Sequence, residues 1–352
     1  MPTPQELLEV LKRVKYPGFS RDIVDFGLVK DVEVGGAAVT IHLALSTDNP
    51  ETIAQIRRSV LEALTPLVRV PVEIEFQHPT PAAMPPRPKP ELPGIGYVVA
   101  VASGKGGVGK STVAVNLALA LSALGQRVGL IDADVYGPSV PLMLGIKERP
   151  SSTEEKRLLP VSKYGLKVMS TGMLVPEGQA IVWRGPMIDK LLTEFIKNVE
   201  WGELDVLLVD LPPGTGDAQL TMVQKTPLSG GVIVTTPQDV ALLDVRRGVK
   251  MFTEAHVPVL GVIENMSYHV CNHCGHRAEI FSHGGGARMA ERYKIPFLGE
   301  IPLVKEIRVD GDSGTPLVMA NPTHPQSQAF LRIAEQVRLR LEGQAREKIA
   351  LH

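Results

Sequence analysis

Residues 104–111, with the sequence Gly-Lys-Gly-Gly-Val-Gly-Lys-Ser, restrict the possible fold more than any other part of this chain. The apolar run Tyr97–Ala102 before them predicts a short buried strand, and the Ala- and Leu-rich segment Ser111–Leu124 after them predicts a helix. A strand, a glycine-rich loop and a helix in this order are typical of a phosphate-binding loop.

Each residue type in this loop has a physical reason to be there. Glycines let the backbone turn tightly and aim its N–H groups at phosphate oxygens, and the helix N-terminus adds partial positive charge. We expect Lys110 to reach the β- and γ-phosphates and the Ser111 hydroxyl to ligate Mg²⁺. The sequence therefore predicts an ATP site formed by Gly104, Lys105, Gly106, Gly107, Val108, Gly109, Lys110, Ser111 and Thr112.

Two later strands end in aspartates that can serve the same site. The strand Val128–Ala133 leads into Asp132 and Asp134, and Val206–Asp210 ends in Asp210, followed by Pro-Pro-Gly-Thr-Gly. Carboxylates beside a metal-bound triphosphate hold Mg²⁺ or orient the attacking water. We expect Asp132 and Asp210 to hold Mg²⁺ or its waters and Asp134 to orient the attacking water. A capped turn after the strand would also explain Asp132 and Asp134.

Asn265 follows the predicted strand Val259–Ile263. An asparagine amide both donates and accepts hydrogen bonds, so it can read an adenine edge. The alternative is an ordinary turn residue.

The two cysteines of the chain, Cys271 and Cys274, are separated by two residues. Such a pair is half of a zinc or iron–sulfur site, or a redox dithiol; the last is disfavoured because the pair precedes Gly275 in a loop rather than opening a helix. A four-coordinate metal needs two further ligands. These come either from histidines of the same chain or from the same two cysteines of a second chain, and thiolate ligands alone do not distinguish zinc from iron. The candidate histidines are His269, His273, His276 and His283.

Composition excludes several classes of protein. The 352 residues are 44% hydrophobic but only 5% aromatic, which favours an aliphatic core of the parallel α/β type. The formal net charge of −1 gives no reason to expect binding to nucleic acid. Residues 1–6 lack a basic or long apolar run, and no apolar stretch reaches membrane-spanning length, so we expect a cytoplasmic protein with no membrane partner.

Seven prolines between Pro79 and Pro93 predict a stiff linker over residues 79–96. Before it, residues 1–78 read as a small α+β domain in the order αββαβ, with helices over Gln5–Val14 and Glu51–Leu64. This domain resembles the small SufT-like domain linked to iron–sulfur assembly, but it contains no cysteine.

After the linker, residues 97–352 alternate between strands and helices. This pattern predicts an α/β fold with a doubly wound, mainly parallel sheet, and it places ligands at the carboxyl ends of the strands. The further strands are expected over Leu166–Ser170, Gly231–Thr235 and Phe297–Ile301, and helices over Pro186–Asn198 and Val240–Glu254.

The motifs taken together resemble those of the Mrp/ApbC iron–sulfur cluster carriers, which are deviant Walker A ATPases of the MinD/ParA superfamily. The resemblance rests on the loop at 104–111, the segments 132–139, 183–187, 210–217 and 264–268, the cysteine pair, and Phe-Ser-His-Gly-Gly-Gly at 281–286. It implies a homodimer in which Lys105 reaches the partner's nucleotide and the two cysteine pairs hold a [4Fe–4S] cluster. It also implies ATP hydrolysis coupled to delivery of that cluster to apo-proteins, with cluster scaffold proteins as further partners.

Three other functions would each explain part of the sequence. A MinD-like or ParA-like positioning ATPase has the same fold and in MinD a membrane-binding terminal helix; here Phe330, Ile333, Ala334, Val337 and Leu341 form an apolar stripe that we expect instead to pack on the sheet. The second is a zinc-bridged regulatory dimer. The third, a phosphate-loop kinase, lacks any visible acceptor-site pattern.

Overall fold

The computed structural model describes residues 2–15, 22–24, 28–35, 38–44, 50–68, 70–77, 92–174, 185–214, 216–271 and 273–350. It divides into two compact units, Met1–Pro88 and Lys89–His352. The predicted linker 79–96 falls mostly outside the described residues, and so do Trp183 and Arg184 of the segment 183–187. The stiffness of that linker therefore stays a prediction.

The first unit has a three-stranded sheet with two helices, in the predicted order αββαβ. Strand β2 lies between an antiparallel β1 and a parallel β3. Leu7, Leu11, Ile41, Ile56 and Leu64 are fully or almost fully buried in its core. The elements are α1 (Pro4–Leu11), β1 (Val29–Val34), β2 (Val39–Ala44), α2 (Pro50–Leu64) and β3 (Val72–Gln77).

The second unit alternates strands and helices as the sequence predicts, with a doubly wound sheet. Its elements are β4 (Ile95–Ala102), α3 (Lys110–Ala123), β5 (Val128–Asp132), α4 (Val140–Met143), β6 (Val161–Lys163), β7 (Leu166–Ser170), α5 (Gly185–Lys197), β8 (Leu204–Asp210), α6 (Asp217–Lys225), β9 (Gly230–Thr235), α7 (Asp239–Glu254), β10 (Val259–Asn265), β11 (His269–Val270), β12 (Arg277–Ala278), α8 (Gly285–Arg292), β13 (Phe297–Ile301), α9 (Lys305–Asp312), α10 (Leu317–Ala320) and α11 (Pro325–Ala350).

The eight-stranded sheet has the order β13-β10-β9-β4-β8-β5-β7-β6, and all its pairs are parallel except β6 with β7. From β4 the chain continues to β5 on one side and later returns to β9 on the other, so the strand order reverses at β4. In open α/β sheets ligands bind outside the carboxyl ends of the strands at this kind of switch point. The glycine-rich loop follows β4 directly.

Alternate residues of β4 belong to two separate cores, because both faces of the sheet are covered. Val99 and Val101 pack in the core with α3 and α11, whereas Val98 and Ala100 pack in the core with α5 and α7. This double burial explains why the central strands are continuous apolar runs rather than alternating ones.

The apolar stripe of the last helix lies against the sheet, as the sequence predicts. Phe330, Ile333, Ala334, Val337 and Leu341 of α11 are each at most 1% exposed. The prediction that this stripe packs in the core is confirmed. None of the helices in the described part of the chain combines the length and apolarity needed to cross a bilayer.

The structure also differs from the sequence predictions in short elements. Helix α1 ends at Leu11, not Val14, although Val14 is still buried. The three-residue edge strand β6 and the two-residue strands β11 and β12 were not predicted. Such elements are too short to show a hydrophobic period.

Candidate functional site

The glycine-rich loop leaves room for an anion at the end of β4. Gly107 and Gly109 have φ values of 81° and 77°, in the left-handed region that favours glycine. A Cβ placed on Gly106 or Gly107 would meet no atom within 4 Å. Helix α3 begins after Gly109 with no side-chain cap and no acidic residue in its first turn, so its free N–H groups are available to a phosphate.

Lys110 and Asp210 form a buried ion pair at the start of that helix. Lys110 is 6% exposed and Asp210 is fully buried. Ser111 Oγ lies 3.3 Å from Lys110 Nζ, so the structure brings the three predicted residues together. Asp210 Oδ2 is buried without a hydrogen-bond partner among the described residues, which leaves an acceptor for a cation or its water.

Asp132 and Asp210 lie side by side because β5 and β8 pair in register at these two residues. Ser170 on β7 pairs with Asp132 on the other side, and its hydroxyl donates to Asp132 Oδ2 at 2.9 Å. Asp132 also accepts from the backbone N–H of Val140 and Asp134, each at 3.2 Å. Three donors therefore bind the Asp132 carboxyl, and its proposed contact with the metal stays a prediction.

Burial sets the ionisation of both carboxyls. Desolvation, with the Asp210 charge as a smaller contribution, raises the pKa of Asp132 to about 7. Desolvation also raises the pKa of Asp210, and Lys110 opposes this rise. Both shifts favour the protonated carboxyls, and a bound cation would oppose them by stabilising negative charge.

Asp134 lies in the loop after β5, half-buried, where its Oδ1 accepts from the N–H groups of Tyr136 and Gly137 at 3.2 Å. It is close enough to Asp210 for its charge to raise the pKa of that carboxyl. The turn holds one Asp134 oxygen, and the placement next to Asp210 fits the predicted role toward water.

Lys105 takes a different direction from Lys110. Its Nζ lies 3.5 Å from Gln238 Oε1, at the start of α7, and not at the Lys110–Asp210 pair. The backbone after Asp210 also returns to this loop, since the Gly214 N–H donates to Ser103 O at 3.0 Å. Thr215 lies outside the described residues.

Asn265 contacts the phosphate loop itself. Its Nδ2 donates to Val108 O at 2.8 Å, and the side chain is 5% exposed. A Cβ on Gly109 would overlap with the same Nδ2, so the close approach requires glycine there. The predicted contact of Asn265 with adenine stays a prediction, whereas its contact with the loop was not predicted.

Cys271 and Cys274 lie at the tip of a small hairpin formed by β11 and β12. The hairpin closes with the Cys271 N–H donating to His276 O at 2.9 Å and the Gly275 N–H to Cys271 O at 2.8 Å. Cys274 is exposed and Cys271 half-buried. Backbone N–H groups of Cys274 and then His273 lower the pKa of Cys271, which favours the thiolate that binds metals.

The histidines do not complete a site with these thiols. His269 Nδ1 lies 2.9 Å from Leu303 O, and His283 Nε2 lies 2.7 Å from Glu300 Oε2. Within the described residues, the only group of three or more donors that could hold a metal is Glu264, His283 and Glu300, and it contains no cysteine. Within the described residues, the cysteine pair therefore supplies two metal ligands per chain.

Sequence reasoning missed Ser170, Gln238 and Glu264, which hold these groups in place. The signal for Ser170 was available, because it is the last residue of a predicted strand and so lies at the ligand edge. Gln238 and Glu264 have no such signal, since their partners come from distant parts of the chain.

Two family models match this chain, one in each of its two units. A family model described as "NUBPL iron-transfer P-loop NTPase" matches residues 94–338, and a model described as "Iron-sulfur cluster assembly protein" matches residues 4–75. The second match covers the domain that resembles the SufT-like domain.

Among solved structures, a nucleotide-binding protein from Archaeoglobus fulgidus in complex with ADP is 42% identical, covers 63% of this chain and 88% of its own, and has a TM-score of 0.57. The cell division ATPase MinD of Pyrococcus furiosus, at 22% identity, covers 69% of this chain and 98% of its own with a TM-score of 0.53, which shows the fold alone.

Curated relatives match over nearly the whole chain. The iron–sulfur cluster carrier protein of Helicobacter pylori is 40% identical over 99% of this chain and 96% of its own length. That of Deinococcus radiodurans is 47% identical over 93% of both. On the strength of these matches and of the phosphate loop and cysteine hairpin described above, the chain belongs to the iron–sulfur cluster carrier family of P-loop NTPases.

Proposed function

We propose that the chain binds ATP with Mg²⁺ on Gly104–Thr112, hydrolyses it, and carries a [4Fe–4S] cluster to apo iron–sulfur proteins on the paired thiols of a homodimer. The observation that supports this most is the hairpin of Cys271 and Cys274, which offers two accessible thiols and no further ligand among the described residues. A carrier needs its cargo at the surface, where a recipient can reach it. Cluster scaffold proteins would supply the cargo.

The nucleotide half of the proposal rests on charge. The uncapped N-terminus of α3, the open glycine backbone and Lys110 together suit a triphosphate. Mg²⁺ would supply positive charge to the phosphates, with the Ser111 hydroxyl and the unpartnered oxygen of Asp210 as the groups that hold it or its waters. Asp132, which lies beside Asp210 at the end of the neighbouring strand, would help to hold the ion or its waters.

Binding of nucleotide would rearrange the Lys110–Asp210 pair. Lys110 neutralises Asp210 in the structure, and a γ-phosphate would attract the same ammonium group. Asp210 would then need another cation, and Mg²⁺ fits this need. Asp134, adjacent to Asp210 and only half-buried, would orient the attacking water.

Dimerisation is proposed on two independent grounds. Lys105 is directed toward Gln238 and away from the Lys110–Asp210 pair, which fits a role at a partner's nucleotide. The chain has only two cysteines, so a Cys₄ site requires two chains. Both grounds point to a dimer, and the cysteine count adds one cluster per dimer.

The experiment is a measurement of iron, sulfide and zinc per dimer in anaerobically purified protein, together with the mass of the assembly. We expect about four irons and four sulfides per dimer for a Cys₄-bound cluster. Cys271→Ala and Cys274→Ala should each remove the cluster while ATP binding by calorimetry persists, because each substitution removes two ligands of four.

Two outcomes would contradict the proposal. Stoichiometric zinc without sulfide would indicate the zinc-bridged regulatory dimer. A full cluster on a monomer, or in the Cys271→Ala protein, would show that other residues supply ligands. Ser282→Ala, which changes a residue near the hairpin that is not a proposed ligand, is the matched control and should keep the cluster.

A further inference from the structure

Glu264, the residue before Asn265, is a fully buried carboxylate at the end of β10. Its Oε1 accepts from the Gly284 N–H at 3.0 Å and its Oε2 from the Gly286 N–H at 2.6 Å. The Ser267 hydroxyl lies 2.6 Å from Oε1. A buried carboxylate with this many donors anchors the chain segment that provides them, here the start of α8.

That anchored segment carries His283 toward the cysteine hairpin. His283 Nε2 lies 2.7 Å from the Arg277 guanidinium and 2.7 Å from Glu300 Oε2. One contact is with a donor and the other with an acceptor, so a single tautomer makes only one of them a hydrogen bond. Glu300 Oε2 is also 3.1 Å from Ser267 Oγ, which closes the group.

Arg277 belongs to strand β12 of the cysteine hairpin itself. Its guanidinium stacks over the Tyr268 ring at 3.7 Å from the centroid and lies 3.5 Å from Glu300 Oε1. Stacking and a carboxylate contact together fix a guanidinium in direction as well as position. Arg277 thus ties the hairpin at its base to the turn after β10, to β13 and to the segment before α8.

The same end of β10 contacts the phosphate loop. Asn265 Nδ2 donates to Val108 O at 2.8 Å, one residue along from Glu264. Met266, the next residue, has a left-handed φ of 56°, so the chain turns sharply between the two contacts. Asn265 therefore contacts the phosphate loop, while the preceding residue, Glu264, binds the segment before α8 that contacts the cysteine hairpin.

We propose that a group of five residues positions the cysteine hairpin and makes the reactivity of its two thiols respond to nucleotide at the phosphate loop. This group, here called the hairpin clamp, consists of Glu264, Ser267, Arg277, His283 and Glu300. These are positioning residues, because none of them touches the thiols. The inference rests on the proposed function, in which the thiols hold the cargo. It adds the physical link from the ATP site to those thiols.

A metal ion in the clamp is the other possibility, since Glu264, His283 and Glu300 lie close together. Two observations argue against it. Both Glu264 oxygens already accept backbone N–H groups, and the Arg277 guanidinium already supplies the positive charge beside His283 and Glu300. The group is therefore satisfied without a cation.

The test uses the metal-free full-length chain, whose only two cysteines are Cys271 and Cys274, so all thiol chemistry reports on the hairpin. The rate of alkylation by iodoacetamide is followed for each cysteine by peptide mass spectrometry, with and without ATP and Mg²⁺. A coupling of ordinary size would change the wild-type rate by about fivefold or more. Glu264→Gln and His283→Ala should remove the change while calorimetry still detects ATP binding.

Glu291→Gln, an exposed carboxylate on the same helix α8, is the matched control and should respond as the wild type does. Two variants are used because Glu264 is fully buried and its variant could misfold, whereas His283 is partly exposed. A wild-type rate that ignores ATP, a clamp variant that keeps the response, or loss of ATP binding in both variants would overturn the inference. A chain that binds no cluster would overturn the proposed function and leave this result unaffected.

Discussion

Replacing Lys110 by alanine should destabilise the nucleotide-free chain in a strongly pH-dependent way. Lys110 neutralises the fully buried Asp210, which has Asp132 as its neighbour across the strand pair. Without the ammonium group, the effect of burial is opposed only by the smaller contribution of the Ser111 hydroxyl, and the pKa of Asp210 rises further. The folded variant would then keep a proton on this carboxyl that the unfolded chain releases.

The magnitude follows from linkage. The unfolded carboxyl has a pKa of 3.8, which lies 3.7 units below pH 7.5. That difference limits how much free energy of unfolding is lost when the folded state keeps the proton at this pH. At 1.36 kcal/mol per unit this is at most about 5 kcal/mol, against about 2.3 kcal/mol at pH 5.5. Because the folded pKa is raised, stability is retained at low pH and lost as the pH rises. The upper figure agrees with the 3–5 kcal/mol typical of a buried pair that loses one partner.

Urea unfolding followed by tryptophan emission measures this, since both tryptophans, Trp183 and the buried Trp201, belong to the second unit. Lys105→Ala, on the same loop but next to the neutral Gln238 amide, is the control and should cost little at either pH. The double variant Lys110→Ala/Asp210→Asn should recover most of the loss. Equal losses at pH 5.5 and 7.5, or a double variant no more stable than the single one, would refute the reasoning.

Three other predictions concern the nucleotide site. Asp134→Asn should leave the ATP affinity nearly unchanged in calorimetry while slowing phosphate release by about tenfold or more, because it affects only the orientation of water; a parallel loss of affinity would place Asp134 on the metal or in folding. Lys105→Ala and Lys110→Ala chains, each inactive alone, should regain ATPase activity when mixed if Lys105 acts across a dimer, and a strictly inactive mixture would contradict that. Gly109→Ala should abolish ATP binding, since its φ is 77° and its Cβ would overlap with Asn265, whereas Gly343→Ala on α11, whose Cβ meets nothing within 4 Å, should bind ATP; equal behaviour of the two would exclude the close approach as the cause.

The parts of this protein that could be predicted from the sequence are those with a local cause. The loop at 104–111, the apolar strands that end in Asp132 and Asp210, and the stripe of α11 each follow from neighbouring residues and a regular period. Their positions in the sheet then follow from the rule that ligands lie at the carboxyl ends of parallel strands.

The contacts that connect these parts could not be predicted. Asn265 meets Val108, 157 residues away in sequence, only because β10 lies beyond β9 from β4. Glu264 is an unremarkable acidic residue until the fold places Gly284 and Gly286 against it. The cysteine hairpin has strands of two residues, which are too short to show a sequence pattern of their own.

The border strands of the eight-stranded sheet affect how readily two copies of the chain would aggregate. One border strand, β6, has only three residues, whereas the other seven strands have between five and eight. Border strands with long unpaired backbones recruit other chains into aggregates, and short or charged ones resist this. Glu300 places a carboxylate on β13, and β6 runs against its neighbour's direction. In the proposed carrier role, these features would lower the risk that the eight-stranded sheets of two molecules join edge to edge when the thiols meet a recipient.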